Sequence, residues 1–372
     1  MKLDRGPLTF TRKSSKVYEP IRVIVFLSNR CTYERHSLLL KAMQADPSFD
    51  LRLILSGGLV ENNKLRVFIH NKYKSTDIIL ADYDGTLQSM ARSTATISSG
   101  TCDAIERFNP HVCIAIADRF EVLPFAMAVA YAKVPLIHIQ AFERSGNIDD
   151  RVRDAVSSLA DVHLVSHRHA AMRGYDMGHR DIYVTGCPST DRCRQFLGAP
   201  KGNHILFMYH PVTTDIDGSV KEMMVALGHV RGYCIENSID LYIFAPNNDP
   251  GYKKIRESFI FRTQREKFFE NLPGKQFYRL LSQAIMIVGN SSAGLREASY
   301  LGVKAINVGL RQLHRICSNN VIACTADQVA LAMEEQMEVA PSELFGNGRA
   351  VGEIITVLKR YTWERKPKEK TN

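Results

Sequence analysis

The chain has 372 residues, of which 45% are hydrophobic and 23% charged, and its formal net charge is +9 at pH 7. This length allows two ordinary domains, and the composition excludes an intrinsically disordered chain. The longest apolar stretch, from Val122 to Ile139, is interrupted by Lys133 and Pro135, so it predicts a buried helix followed by a strand and no membrane insertion.

The cysteine pattern indicates the cellular compartment, and the charge pattern indicates the class of ligand. The eight cysteines form no CxxC pair and have no histidines at metal-ligand spacing, so we expect a reducing, cytoplasmic environment without zinc or disulfides. The N-terminus is polar and basic without an apolar segment, which predicts no secretory signal. The positive charge favours an anionic ligand such as a nucleotide. A nucleic acid is favoured less strongly, because part of the excess of Lys and Arg lies near the two chain termini.

In the first half, short β-branched runs alternate with longer helical segments, which predicts parallel sheets built from strand–helix–strand units in an α/β fold. The predicted strands are Arg22–Leu27, Leu51–Leu55, Val112–Ala117, Leu136–Ile139, Val162–Val165 and Ile182–Thr185. The predicted helices are Arg35–Gln44, Gly100–Phe108, Val122–Ala132 and Asp150–Ala160. Residues Asn62 to Ser98 have the least regular pattern and indicate either a mobile flap or a poorly patterned helix.

The alternation stops at Gly186 and restarts after a linker at Gly198–Gly202. The second set of strands is Ile205–Tyr209, Leu241–Phe244, Ile285–Val288, Ala305–Val308 and Val321–Cys324, and the helices are Val220–Glu236, Gln276–Ala284, Leu295–Leu301 and Asp327–Glu338. A last helix near Glu353–Trp363 is expected to pack back across the linker. We therefore predict a flexible basic leader (1–20), two doubly wound domains (21–197 and 198–348), and a returning helix with a basic tail (349–372).

Polar motifs follow the predicted strands, and in doubly wound domains the carboxyl ends of the strands form the ligand-binding edge. Ser28–Arg35 opens a helix, where Arg30 could meet a phosphate, although a capping turn explains the same residues. Gly289–Glu297 offers backbone N–H groups, the hydroxyls of Ser291 and Ser292 and a helix dipole to a diphosphate. A helix cap explains only part of this second motif, so we interpret it as a phosphate-binding turn.

Titratable side chains lie at three further strand ends. His210 is followed by a proline that holds it in an extended turn facing the cleft, which makes it a catalytic candidate, although a lone histidine is more often structural. Acidic clusters around Asp118 and Asp149 follow two buried strands, and carboxylates gathered there are expected to have pKa values pushed apart, as acid–base catalysis needs. Asp149 and Asp150 also fit a helix N-terminus. Glu297 could accept hydrogen bonds from ribose hydroxyls.

The order of these motifs resembles that of the hydrolysing UDP-N-acetylglucosamine 2-epimerases of sialic-acid precursor biosynthesis. The resemblance runs from about Arg22 to Leu358 and is most specific at His210–Thr214 and Gly289–Ser292. The other matching residues, in chain order, are Asn29, Arg30, Tyr33, Asp118, Arg119, Phe120, His138, Ile139, Ser145, Gly146, Ile148, Asp149, Asp150, Arg153, Gly186, Cys187, Pro188, Ser189, Asp191, Asp215, Arg296, Glu297, Asn307, Gly309, Arg311 and Gln312.

The resemblance implies two Rossmann-like domains facing a cleft, similar to the B-type glycosyltransferases, with the nucleotide mainly on the second domain. It implies elimination of UDP to a glycal and addition of water to give N-acetylmannosamine, without a metal or nicotinamide cofactor, in a homodimer. The residues implied for UDP binding are Arg30, His210, Asn247, Ser291, Ser292, Glu297 and Arg311, and those for catalysis are Asp118, Gln140, Glu143, Asp149, Arg153 and His210.

The sequence departs from the family pattern on the sugar side. Gln140 stands where the family has a glutamate, and a glutamine cannot take up a proton at neutral pH. Losing a general acid or base typically costs about 10²- to 10⁴-fold in rate, so restoring a glutamate at 140 is expected to raise turnover. Phe142 and Ala117 replace glycines, Thr32 replaces an aspartate and Arg35 a lysine. The phenylalanine falls close to where the sugar is expected.

These features leave three functions open. The first is a hydrolysing epimerase acting on a UDP-linked N-acetylated amino sugar. The second is a UDP-sugar-dependent glycosyltransferase on the same scaffold, whose basic surface grips a nucleic acid or another acidic acceptor. The third is a non-catalytic nucleotide-sugar sensor, which Gln140 favours.

Overall fold

The computed structural model describes residues 19–73, 76–81, 84, 86–146, 148–212, 215–247, 249, 251–259, 263–270 and 272–361. Most of the predicted basic leader, the threonine pair at 213–214 and the basic tail beyond residue 361 lie outside these described residues. No helix in the described ranges is long and apolar enough to cross a membrane.

The first domain is built on a seven-stranded parallel sheet with the strand order β3-β2-β1-β4-β5-β6-β7. Its strands are β1 (Ile21–Leu27), β2 (Phe49–Leu55), β3 (Thr76–Ile78), β4 (Val112–Ile116), β5 (Leu136–Ile139), β6 (Val162–Val165) and β7 (Ile182–Val184). Its helices are α1 (Arg30–Ala45), α2 (Gly58–Glu61), α3 (Asn63–Lys72), α4 (Leu87–Phe108), α5 (Val122–Tyr131), α6 (Asp149–Leu159), α7 (Arg168–Asp176) and α8 (Pro188–Cys193).

The second domain is built on a six-stranded parallel sheet with the strand order β10-β9-β8-β11-β12-β13. Its strands are β8 (His204–Met208), β9 (Asp240–Phe244), β10 (Glu266–Phe269), β11 (Met286–Gly289), β12 (Lys304–Val308) and β13 (Val321–Cys324). Its helices are α9 (Ile216–Glu236), α10 (Tyr252–Glu257), α11 (Gly274–Gln283), α12 (Ser292–Leu295), α13 (Glu297–Leu301) and α14 (Val329–Glu334), and α15 (Ala350–Arg360) follows them.

Both sheets are covered on both faces, which is why their strands are apolar runs without alternation. In β1, the neighbouring residues Ile24 and Val25 point to opposite faces, and both are fully buried in different clusters of the core. The second sheet likewise separates two apolar clusters, one around Phe207 and the other around Leu206. Buried parallel strands of this kind give the strongest sequence signal in the molecule.

Every predicted strand is present, with ends shifted by no more than two residues. The sequence pattern missed the edge strands β3 and β10 and the helices α2, α3, α7, α8 and α10. Residues Asn62 to Ser98 contain α3, β3 and the first half of α4, so most of the described part of this segment is helical.

The last helix packs against the first domain. In α15, Ile354, Val357 and Leu358 are buried in the core cluster that also contains Val23 of β1. The carboxylate of Asp191 on α8 accepts hydrogen bonds from the first two backbone N–H groups of α15, at 2.9 and 3.0 Å. An aspartate there caps the helix and anchors the chain after it has completed the second domain.

Candidate active site

The carboxyl ends of the two sheets face each other, and side chains that follow the strands meet across the boundary between the domains. Arg119 follows β4 in the first domain, and its Nη1 lies 2.5 Å from Oδ1 of Asp249, which follows β9 in the second. Arg315 follows β12, and its Nη2 lies 3.8 Å from Oδ2 of Asp118. The strand-end motifs of both halves therefore form one interdomain site, as doubly wound sheets predict.

Glu143 lies at the centre of a buried cluster of arginines. It is 3% exposed, its Oε1 accepts a hydrogen bond from the Ser166 hydroxyl at 2.7 Å, and its Oε2 pairs with Arg296 and, at 3.1 Å, with Arg315. Burial alone would raise the pKa of this carboxyl, but the two guanidinium groups outweigh it and lower the pKa to about 2. Glu143 is therefore a fixed anion that joins the two domains.

Arg153 orders the loop between β5 and α6. It is almost fully buried, donates to the backbone oxygen of Glu143, and pairs with Asp118 and, at 3.0 Å, with Asp150. Burial, together with the nearby charges of Arg315 and Arg296, lowers the pKa of Arg153 well below its usual range. Asp150 in turn accepts hydrogen bonds from the backbone N–H groups of Ser145 and Gly146, so this carboxylate holds the loop.

Asp149 precedes Asp150 in the chain, and the groups around it shift its pKa. It is the first residue of α6, and burial raises its pKa, with a further rise caused by the carboxylate of Asp249. Arg311, Arg119 and Arg315 act on it in the other direction, but the net shift is upward. Asp149 is thus a carboxyl group that holds its proton more tightly than a free aspartate does.

His210 is fixed by hydrogen bonds at the end of β8. Its backbone N–H donates to Oδ1 of Asn290 at 2.7 Å, and the Asn290 amide donates back to its carbonyl oxygen at 2.8 Å. The N–H of Asn247 donates to ring atom Nδ1 at 3.1 Å, so the proton of the neutral ring is on Nε2. Burial and the charge of Arg311 lower the pKa of His210 to about 3, so the ring is an uncharged Nε2–H donor at neutral pH.

The residues implied for UDP binding fall into two groups. Asn247 and Arg311 lie beside His210: Asn247 donates to Asp249 at 2.6 Å, and Arg311 donates to the backbone oxygen of Asn290 at 3.3 Å. Arg30 reaches the second domain, where it donates to the backbone oxygen of Glu270 at 3.2 Å. It is also close enough to lower the pKa of His210.

The turn after β11 forms a helix cap, which is one of the two roles considered for it. Gly289 has a φ of 135°, and a Cβ there would lie 2.1 Å from the backbone oxygen of Met208, so only glycine fits. The Ser291 hydroxyl caps α12 by accepting from the N–H of Ala293 at 3.3 Å, whereas Ser292 is half-buried. The predicted continuous helix is divided into α12 and α13, and Glu297 at the start of α13 is buried beside Arg35 of the first domain, 3.7 Å away.

Three of the five positions that depart from the family pattern share a backbone feature. Ala117, Gln140 and Phe142 all have positive φ angles, of 63°, 64° and 60°, a conformation that glycine adopts without strain. His138 supports the first of them, because its Nε2 donates to the carbonyl oxygen of Ala117 at 2.8 Å. The backbone therefore keeps a sharp turn after these strands, although Ala117 and Phe142 stand where the family has glycines.

Phe142 lies beneath α7. Its ring is 4.7 Å from that of His163 and 4.9 Å from that of His179, centre to centre, and it belongs to the apolar cluster that includes Ile182. A Cβ at Gly174 of α7 would lie 2.5 Å from the ring, so the glycine makes room for it. The ring packs in a small core of the first domain. Thr32 is also buried, in the first turn of α1, where its N–H donates to the capping side chain of Asn29.

The sequence patterns missed several charged residues of the site. Asp249 and Arg315 lie just beyond the ends of β9 and β12, so the strand-end rule applied to every strand would have found them. Arg296 and Arg119 stand within motifs matched to the family, but nothing in the sequence indicated that they pair with Glu143 and Asp249 of the other domain.

Two doubly wound domains with a polar cleft between their strand ends define an α/β protein of the same class as the B-type glycosyltransferases. A solved UDP-N-acetylglucosamine 2-epimerase from Neisseria meningitidis, bound to UDP-GlcNAc, has this fold: its TM-score is 0.75 at 14% identity, over 92% of this chain and 100% of that one. The family model for UDP-N-acetylglucosamine 2-epimerase matches residues 41–359. The chain belongs to the UDP-N-acetylglucosamine 2-epimerase family.

Proteins similar in sequence support this assignment. A UDP-N-acetylglucosamine 2-epimerase of Neisseria meningitidis serogroup B is 29% identical over 81% of this chain and 83% of its own length. A hydrolysing UDP-N,N'-diacetylbacillosamine 2-epimerase of Legionella pneumophila is 26% identical over 91% of this chain and 96% of its own length. The similarity thus covers both domains and includes hydrolysing members.

Proposed function

We propose that the protein is a hydrolysing 2-epimerase that acts on a UDP-linked N-acetylated amino sugar. A base takes the proton from C2, the C2–H electrons form the C1–C2 double bond, and the C1–O bond breaks with its electron pair leaving on UDP. Water then adds to the glycal, with hydroxide bonding to C1 and a proton to the opposite face of C2. The products are UDP and N-acetylmannosamine or a related sugar, and the hydrolysing relatives support this reaction class.

The observation that carries the proposal is the meeting of strand-end carboxylates and arginines across the domain boundary, Arg119 with Asp249 and Arg315 with Asp118. The raised pKa of Asp149 supports it. A more basic carboxylate is a better acceptor for the weakly acidic C2 proton, and its position among Arg119, Arg311 and Arg315 brings it next to a polyanionic substrate. Asp118, at the end of the neighbouring strand, is the second carboxylate for proton transfer. Its pairing with Arg153 and Arg315 keeps it in place.

The cations of the site suit a departing diphosphate. Arg30, Arg311 and the Nε2–H of His210 can stabilise the charge that develops on UDP as the C1–O bond breaks. Asn247, Ser291, Ser292 and Glu297 complete the proposed nucleotide site. The elimination proposed here uses these side chains and requires neither a metal ion nor a nicotinamide.

The test is to incubate the protein, without an acceptor, with UDP-N-acetylglucosamine and separately with UDP-N,N'-diacetylbacillosamine in D₂O. We expect free UDP together with a 2-epimerised sugar that carries deuterium at C2, from at least one of the two substrates. UDP released only when an acceptor is added would instead establish a glycosyltransferase. Binding without any release of UDP would establish a sensor, and a released sugar without deuterium would rule out the elimination.

A further inference from the structure

Arg35 connects the two domains through a pair of contacts that the proposed reaction does not use. Its Nε lies 3.7 Å from Oε1 of Glu297 in the second domain, and its Nη1 donates to Oε1 of Gln140 in the first, at 3.3 Å. Burial lowers the pKa of Arg35, but the groups around it, Glu297 foremost, together raise it by more, so the guanidinium stays charged. Arg35 and Gln140 are also two of the positions that depart from the family pattern.

The Gln140 amide is occupied at both ends by protein groups. Its oxygen must face Arg35, because a guanidinium only donates, and its Nε2 donates to the sulfur of Cys187 at 3.3 Å. The side chain is only 2% exposed, and its backbone N–H is held by the carbonyl oxygen of Leu164. An amide in this position orients its neighbours and has no proton to exchange at neutral pH.

Because the Gln140 amide is neutral, Glu297 is the carboxylate that pairs with Arg35. A carboxylate at position 140 would form a stronger, charge-assisted hydrogen bond with Arg35 and would compete with Glu297 for it. With glutamine at position 140, the amide oxygen orients Arg35 by a neutral hydrogen bond, and Glu297 of the second domain balances the charge of Arg35. The other oxygen of Glu297, Oε2, is buried without a partner among the described residues, and a ligand hydroxyl would satisfy it.

We propose that Gln140 is a positioning residue of the nucleotide site, which holds Arg35 so that Arg35 in turn orients Glu297 towards a hydroxyl of the bound nucleotide. This inference deepens the proposed function, because it takes Glu297 to be part of the UDP site. On this view Gln140 contributes to the affinity for UDP and is not simply a proton-transfer residue that has lost its carboxylate.

The experiment measures the dissociation constants of UDP and 2′-deoxy-UDP by calorimetry for the wild type, Gln140→Glu and Arg35→Lys. Each variant should weaken UDP binding by roughly 3- to 10-fold, the range of one hydrogen bond, and should change 2′-deoxy-UDP binding less. In turnover assays, KM for the UDP-sugar should rise while kcat stays nearly constant. Gln88→Glu, the same chemical change on an exposed part of α4, should leave both dissociation constants unchanged.

The outcomes separate this inference from the proposed function. If the wild type binds UDP and Gln140→Glu binds it equally well, the positioning role is wrong while the proposed function stands. A higher kcat in Gln140→Glu with unchanged UDP affinity would also overturn it and would establish position 140 as a proton-transfer position. If the wild type binds no UDP, both proposals fail. Arg35→Lys tests the same link from its other end, should the glutamate variant not fold.

Discussion

Glu143 lies in the loop between β5 and α6, and Asp149 is the first residue of α6, yet the pKa values of the two carboxyls are shifted in opposite directions. Glu143 is enclosed by Arg296, Arg315 and Ser166, and its pKa is lowered to about 2. Asp149 is half-buried, and its partial loss of solvent together with the carboxylate of Asp249 raises its pKa. The balance between burial and the nearest charges therefore decides the pKa of each carboxyl: two arginines in direct contact keep Glu143 ionised, whereas the pKa of Asp149 is raised despite the arginines near it.

The comparison predicts its largest effect for Asp149→Asn. Removing a proton-transfer group typically lowers kcat by about 10²- to 10⁴-fold. Stability should be unchanged or slightly higher, because the repulsion between Asp149 and Asp249 is removed. The measurements are UDP release at saturating UDP-sugar and the midpoint of urea unfolding, with Asp103→Asn on exposed α4 as the control. An unchanged kcat would remove Asp149 from the chemistry.

Glu143→Gln should instead act on stability. The variant leaves the buried Arg296 without its anion and removes one partner of the half-buried Arg315, and breaking a buried pair in this way costs about 3–5 kcal/mol of the free energy of unfolding. Urea unfolding at pH 7 measures it, with the exposed Glu334→Gln as the matched control.

The stability difference between the wild type and Glu143→Gln should also depend on pH. The carboxyl pKa falls from 4.5 to about 2 on folding, so its stabilisation is complete above pH 4.5 and is lost as the pH falls towards 2. The difference in unfolding free energy should therefore shrink over that window. A difference that is small at pH 7, or constant between pH 5 and pH 2, would contradict the role of Glu143 as a fixed anion.

Phe142→Leu should have the smallest effect of the three substitutions. The ring packs beneath α7 against Gly174 and His163, so a smaller side chain should cost about 1 kcal/mol of stability. KM for the UDP-sugar should stay within about twofold of the wild type, because the ring packs in the core of the first domain. Phe68→Leu, at an exposed position of α3, is the control for stability. A marked fall in KM would show that the ring crowds the sugar after all.

The sequence predicted the fold well where strands are buried on both faces. Strands β1, β4, β5 and β11 are apolar runs of this kind, and their ends were found within two residues. The three-residue edge strand β3 and the charged edge strand β10 are not apolar runs, so neither stood out. Helix α7 was missed because its sequence is dominated by polar and small residues with few apolar positions.

For the site, the strand-end rule and the family motifs located most of the residues but not their roles. The pairing of Glu143 with Arg296 and Arg315 depends on how the two domains are placed against each other, and no local pattern encodes that placement. For the same reason the sequence predicted pKa values pushed apart among the acids but not which acid moved in which direction. Likewise, the contact of Arg35 with Gln140 joins residues 105 positions apart.

The most direct test of the contrast between the two carboxylates is the pH profile of kcat/KM for UDP release, measured for the wild type and Asp149→Asn. As a base, Asp149 must be ionised, so wild-type activity should fall as the pH is lowered through a midpoint above 3.8, the ordinary pKa of an aspartate. The residual activity of Asp149→Asn should lack this acidic limb. The same limb persisting in Asp149→Asn would show that another group takes the proton, and the assignment of Asp149 would be wrong.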